Sequence, residues 1–144
     1  MIQRAAARKV ARGKDSGDNR TMDENALAGK RILIVEDEYF LASDLARLLK
    51  DRGAEVVGPA ANLPEAERLV GEGGLDCAVL DMNLRGEMAF PIADRLEAEG
   101  IPYICASGYN VASLPERFGN VPRVEKPYDP MELIAMLPGL GRRS

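Results

Sequence analysis

Residues 76–88, Asp76-Cys-Ala-Val-Leu-Asp81-Met-Asn83-Leu-Arg-Gly86-Glu-Met88, decide how this chain folds. A short apolar run, Cys77-Ala78-Val79-Leu80, ends abruptly in the carboxylate of Asp81, and Asn83 and the turn residue Gly86 follow. An apolar run of that length between turn signals is the pattern of a strand buried on both faces. Asp81 then stands where a buried strand leaves its sheet. In open α/β sheets that edge is where binding and chemistry are placed.

Working outward, the same strand-then-helix pattern recurs. Arg31-Ile32-Leu33-Ile34-Val35 reads as a second buried strand and runs into Glu36-Asp37-Glu38. Leu41, Leu45, Leu48 and Leu49 follow at helical spacing, and Gly53 closes that helix. Ala54-Glu55-Val56-Val57 predicts a short strand stopped by Gly58-Pro59. Asn62 and Glu65 form a capping-box pattern for a helix that turns Ala66, Leu69 and Val70 inward. Beyond the central strand, Ile92, Ala93 and Leu96 predict a third helix, and Ile101–Cys105 a fourth strand. A short helix around Ala112–Arg117, a strand at Val121–Val124 and a last helix complete the series. The last helix has an Asp129 N-cap, Pro130 at its first position and a face of Leu133, Ile134 and Leu137. Five β-α units predict an α/β fold, a doubly wound parallel sheet of five strands with helices on both faces.

The 144 residues suit one domain. The expected division is an unstructured extension at 1–29, a domain at 30–138 and a tail at 139–144. Met22 is a candidate translation start within the extension, and no output module is expected behind the domain. Residues 1–29 carry net charge +2 and residues 30–144 net charge −6. An acidic globular part argues against nucleic acid as a partner, and no apolar run is long enough to span a membrane. The chain has no histidine, which excludes a His-based triad, a phosphohistidine of its own and a His-ligated metal. Cys77 and Cys105 fall in separate strands and read as buried thiols in a reducing cytoplasm.

Parallel strands deliver their terminal residues to one edge: Glu36 and Asp37 from the first strand, Asp81 from the third, Ser107 from the fourth and Lys126 from the fifth. Three carboxylates within a few ångströms repel and raise one another's pKa values. A divalent cation relieves that repulsion, and an all-oxygen set selects a hard ion such as Mg²⁺. A lysine and a hydroxyl beside the cation complete a pocket for a transferring phosphoryl group, with Asp81 as nucleophile.

Residues 31–137 resemble the receiver domain of two-component response regulators, through the acid pair Glu36-Asp37, Asp81, Ser107 and Lys126-Pro127. The resemblance implies the flavodoxin-like strand order 2-1-3-4-5, with Asp81 as phosphoacceptor. It implies that Asp37, Asp81 and the backbone carbonyl of Asn83 ligate Mg²⁺, with Glu36 acting through water. Lys126 would contact the phosphoryl group, across a cis Lys126-Pro127 bond. It also implies a sensor histidine kinase or histidine phosphotransfer protein as donor, an unnamed downstream protein or a phosphate-sink role, and leaves phosphorylation-dependent dimerisation open. Cys105-Ala106-Ser107-Gly108-Tyr109 is similar to the Phe-Ala-Thr-Gly-Tyr motif of a subgroup of often single-domain receivers. Arg123 stands where most receivers carry the aromatic that turns inward on phosphorylation, so that switch is not expected in its usual form; Gly108 and the weakly marked fourth helix point to 107–120 as the moving segment, and Tyr109 reads equally as a packing or an interface residue. Two other classes fit parts of the pattern. A haloacid dehalogenase-type phosphohydrolase needs a second acid where this chain has Asn83, and a flavodoxin would place its phosphate loop where this chain has Glu36-Asp37-Glu38.

Overall fold

The computed structural model describes residues 26–108 and 114–140. The expectations for residues 1–25, for Tyr109, for the start of the Ala112–Arg117 helix and for 141–144 lie outside these residues. The elements are β1 (Arg31–Val35), α1 (Tyr39–Asp51), β2 (Glu55–Ala60), α2 (Leu63–Gly71), β3 (Cys77–Asp81), β4 (Asn83–Leu84), β5 (Glu87–Met88), α3 (Phe90–Ala98), β6 (Tyr103–Ser107), β7 (Arg123–Glu125) and α4 (Pro130–Met136). The sheet order is β2-β1-β3-β6-β7, every pair parallel, while β4 and β5 form a separate antiparallel ribbon. With the ribbon set aside, this is the expected 2-1-3-4-5 order.

Alternation along the strands divides the core. Ile32, Ile34, Cys77, Val79, Ile104 and Ala106 cluster with Leu45 and Leu49 of α1 and Leu133 and Ile134 of α4. Leu33, Val35, Ala78, Leu80 and Cys105 cluster with Ala66 and Leu69 of α2 and Ile92 and Leu96 of α3. β3 is buried along its whole length, as a central strand covered by helices on both faces must be. In α1 the buried face is Ala42, Leu45, Ala46 and Leu49, with Leu41 and Leu48 at its rim. The caps act as the sequence suggests. Asn62 Oδ1 accepts the Glu65 N–H at 2.9 Å and Asp129 Oδ1 accepts the Met131 N–H at 2.9 Å, each worth about 1 kcal/mol. The packed unit reaches back to Leu27, which is buried, and the Gly29 N–H donates to Gly53 O at 2.9 Å.

Several boundaries move, each for a local reason. β2 continues through Gly58-Pro59 to Ala60, and that peptide bond is cis. Its pairing with β1 shifts register between Leu33 and Val35. β2 is an edge strand, and an irregularity there absorbs a proline that a central strand would reject. Gly58 has φ +91°, and a Cβ on it would lie 2.8 Å from Ala60 N. β6 begins two residues later than expected, at Tyr103; Pro102 contributes only its carbonyl, which accepts the Ala78 N–H at 3.1 Å. Around the expected fourth helix, the described residues form only a 3-10 turn, Glu116–Phe118. This turn is anchored rather than loose: Phe118 is buried and stacks on Phe90 at 5.6 Å, and Arg117 grips both carboxylate oxygens of Asp94 at 3.0 Å. Cys77 and Cys105 belong to clusters on opposite faces of the sheet and are both free thiols. Burial pushes the Cys77 thiol up to about 11 and raises that of Cys105 as well.

Candidate functional site

Each acid reaches the carboxyl edge because a buried strand carries it there. Glu36 follows β1 directly and stays in register through its N–H, which donates to Ala60 O at 2.9 Å. It is 3% exposed. Asp37 and Glu38 lie in the connection to α1, so the three acids precede that helix instead of forming its first turn. Asp81 is the last residue of β3 and is also 3% exposed. Carboxylate oxygens of Glu36, Asp37 and Asp81 all lie within 4.8 Å of one another. The two acids expected on β1 and the one on β3 therefore meet.

Lys126 joins them. Its Nζ donates to Asp81 Oδ2 at 2.8 Å, to Glu36 Oε2 at 3.0 Å and to Glu38 Oε2 at 3.0 Å. The backbone places it, because the Lys126 N–H donates to Ser107 O at 2.7 Å, and the Lys126-Pro127 bond is cis, as the resemblance implied. Burial alone would lower the Lys126 pKa. Its hydrogen bonds to Asp81 and Glu36 outweigh that and hold the ammonium above its usual range. Glu36 is driven the other way from a normal acid, up to about 7, first by burial and only then by the charge of Asp81. The repulsion anticipated from the sequence is present at Glu36, but desolvation exceeds it.

Asn83 begins the β4–β5 ribbon. Its N–H donates to Asp81 Oδ1 at 3.0 Å, and its own Oδ1 accepts the Gly86 N–H at 2.6 Å, which ties the ribbon to the pocket. Ser107 ends β6, is 6% exposed, and its Oγ has no hydrogen-bond partner among the described residues. A buried hydroxyl without a partner costs stability.

Three participants were not singled out from the sequence. Glu38 shares Lys126, and Arg85 brings its Nε to 3.5 Å from Asp37 Oδ2. Tyr128 has a buried hydroxyl without a partner among the described residues, and burial together with the Glu36 charge raises its pKa. Arg85 had a legible signal, a cation in a glycine turn four residues past Asp81. Tyr128 had none, since an aromatic beside a proline reads as packing.

The donor set fits a hard divalent cation: close, all oxygen and carrying more negative charge than one lysine offsets. A parallel five-stranded sheet in this order, with an acid pair, a central aspartate and a lysine on one edge, defines a receiver-type site. The model of the response regulator receiver domain matches residues 32–138, and the chain belongs to that family. Among solved structures it resembles SdrG from Sphingomonas melonis Fr1, with 37% identity, a TM-score of 0.64, and coverage of 78% of this chain and 98% of that one. Among curated proteins it is 36% identical to the sensory transduction protein RegX3 of Mycobacterium tuberculosis, over 78% of this chain and 51% of RegX3. It is 29% identical to the transcriptional regulatory protein PdtaR of the same species, over 79% of this chain and 58% of PdtaR. The chain thus spans a little over half the length of these two relatives. Receiver domains are signalling modules, and nothing in the family match supports the haloacid dehalogenase alternative. No helix among the described residues is long and apolar enough to cross a membrane.

Proposed function

We propose that the chain acts as a phosphoacceptor in a two-component pathway. It takes a phosphoryl group on Asp81 from a sensor histidine kinase or a histidine phosphotransfer protein, and passes the signal on by protein contact or drains phosphate from a relay. The observation that carries this reading is the Lys126 ammonium, which touches Asp81, Glu36 and Glu38 together at 2.8–3.0 Å.

The carboxylate of Asp81 attacks phosphorus, the P–N bond of the donor phosphohistidine breaks, and its electron pair returns to the imidazole. A bound Mg²⁺, held by Asp37, Asp81 and the Asn83 carbonyl with Glu36 through water, would neutralise charge on the phosphoryl oxygens. Lys126 is positioned to move from the carboxylate to a phosphoryl oxygen as charge develops there. Ser107 Oγ, with no partner among the described residues, supplies a further donor. Water attacking the acyl phosphate then reverses the modification, so no external substrate is implied.

A protein donor must approach the pocket mouth, where α1 begins. Tyr39 and Phe40 there are 75% and 81% exposed and pack edge to face at 5.3 Å. Exposed aromatics beside a charged pocket suit a protein partner better than nucleic acid or a lipid surface. A cytoplasmic location suits such a donor and the two free thiols. The beryllofluoride-activated conformation solved for SdrG belongs to that relative; the same reagent is a suitable probe here. The deciding experiment offers a ³²P-labelled histidine kinase to the wild-type chain and to Asp81→Asn. Label moving to the wild type alone is expected. Equal labelling of Asp81→Asn would overturn the assignment.

A further inference from the structure

The β4–β5 ribbon turns through Arg85 and Gly86, at φ 55° and 89°. Arg85 is the one non-glycine residue with positive φ among those described. A left-handed backbone is unfavourable for any side chain bearing a Cβ, and glycine would adopt it freely. A two-residue turn of this kind favours Asn-Gly or Gly-Gly. An arginine tolerated there asks what its side chain does.

The ribbon is not free to relax. Leu84 is buried, the Ala89 N–H donates to Met82 O at 2.9 Å, and Asn83 ties the turn to Asp81. The turn therefore projects its arginine over the acidic pocket. The Arg85 side chain is 81% exposed, yet its Nε lies 3.5 Å from Asp37 Oδ2, and Asp37 is only 12% exposed. The division of cations is the telling point. Lys126 serves Glu36, Glu38 and Asp81. Asp37 is left out, and Arg85 is its cation among the described residues.

We infer that Arg85 is a competing counter-ion for the metal: it occupies Asp37 while the pocket lacks a divalent cation and weakens Mg²⁺ binding, because the ion must displace the guanidinium or coexist with its charge. This rests on the reading that Asp37 is a metal ligand. It goes further in giving the chain a built-in cation that sets how much Mg²⁺ the site requires. The contact is solvent-exposed, and pairs of that kind are weak and screened by salt. The effect is therefore a tuning of about two- to fivefold in affinity, largest at low ionic strength.

The test measures binding directly, without phosphotransfer. Free Mn²⁺ is followed by electron paramagnetic resonance as protein is added, and Mg²⁺ is titrated as competitor. Wild type, Arg85→Ala, Arg85→Gly and Arg85→Lys are compared, with thermal melting in chelator to establish that each is folded. Arg85→Gly suits the turn even if Arg85→Ala does not. The expected result is two- to fivefold tighter binding in the Ala and Gly variants, wild-type affinity in Arg85→Lys, and a difference that shrinks in high salt. Equal affinity in all four, or a Lys variant that behaves like Ala, overturns the role of Arg85 while the metal site stands. Failure of the wild type to bind either ion overturns the metal reading itself, and this inference with it.

Discussion

The two edges of the sheet are built on opposite principles. At the amino edge several charges and polar groups have partners close by. The Arg31 N–H donates to Asp76 Oδ2 at 2.8 Å, its guanidinium reaches Gly73 O at 2.9 Å and Glu55 at 3.3 Å, and the Tyr103 hydroxyl donates to Glu97 at 3.2 Å. At the carboxyl edge four carboxylates gather, three of them on one lysine and Asp37 beside Arg85, and the hydroxyls of Ser107 and Tyr128 have no partner among the described residues. The first arrangement is finished and serves stability. The second is short of cations and long on oxygen, and an incoming ion or phosphoryl group would complete it. Structural strain of this sort marks the working end of a fold.

Substitutions that treat the two edges alike should therefore have unlike results. The largest effect belongs to Lys126→Met. It leaves Asp81 a buried carboxylate without its lysine and Glu36 a buried acid without a cation, and should cost about 3 kcal/mol in chelator. Urea unfolding should show part of that loss recovered on adding Mg²⁺, because a divalent ion replaces the missing charge. A loss unaffected by Mg²⁺ would mean the lysine is a structural strut like any other.

Arg31→Ala, the matched change at the amino edge, removes a half-exposed pair and one bond to a carbonyl. It should cost about 1 kcal/mol, by the same urea measurement, and the loss should be identical with and without Mg²⁺. The smallest effect is expected at Ser107→Ala. Removing a buried hydroxyl that has no partner among the described residues should leave stability unchanged or raise it by about 0.5 kcal/mol, while slowing phosphoryl transfer from the kinase. A clear loss of stability would place Ser107 with the amino-edge groups and erase the contrast.

The parts legible in the sequence were those governed by short-range chemistry. The apolar runs at 32–35 and 77–80, the caps at Asn62 and Asp129, and the helical spacing of Ile92, Ala93 and Leu96 each announced their element. The strand-end positions of Glu36, Asp37, Asp81, Ser107 and Lys126 were legible too, because a parallel sheet sends every strand terminus to one edge. β2 was cut short at Gly58-Pro59, since local rules end a strand at such a pair. Only its edge position lets it run on to Ala60. A short helix is the local expectation around Ala112–Arg117, whereas the described residues turn through Glu116–Phe118, where Phe118 seats against Phe90 and Arg117 against Asp94, contacts more than 20 residues away in the chain.

Residue order alone determined that this chain is a doubly wound α/β domain with an acid-and-lysine edge, because period, capping and strand termini are written locally. What only the folded molecule decided is how charge is shared within that edge: Lys126 takes Glu36, Glu38 and Asp81, while Arg85 takes Asp37. Those pairings join residues up to 90 positions apart. They depend on distances of a few ångströms and on burial, and neither exists until the sheet has closed over its core.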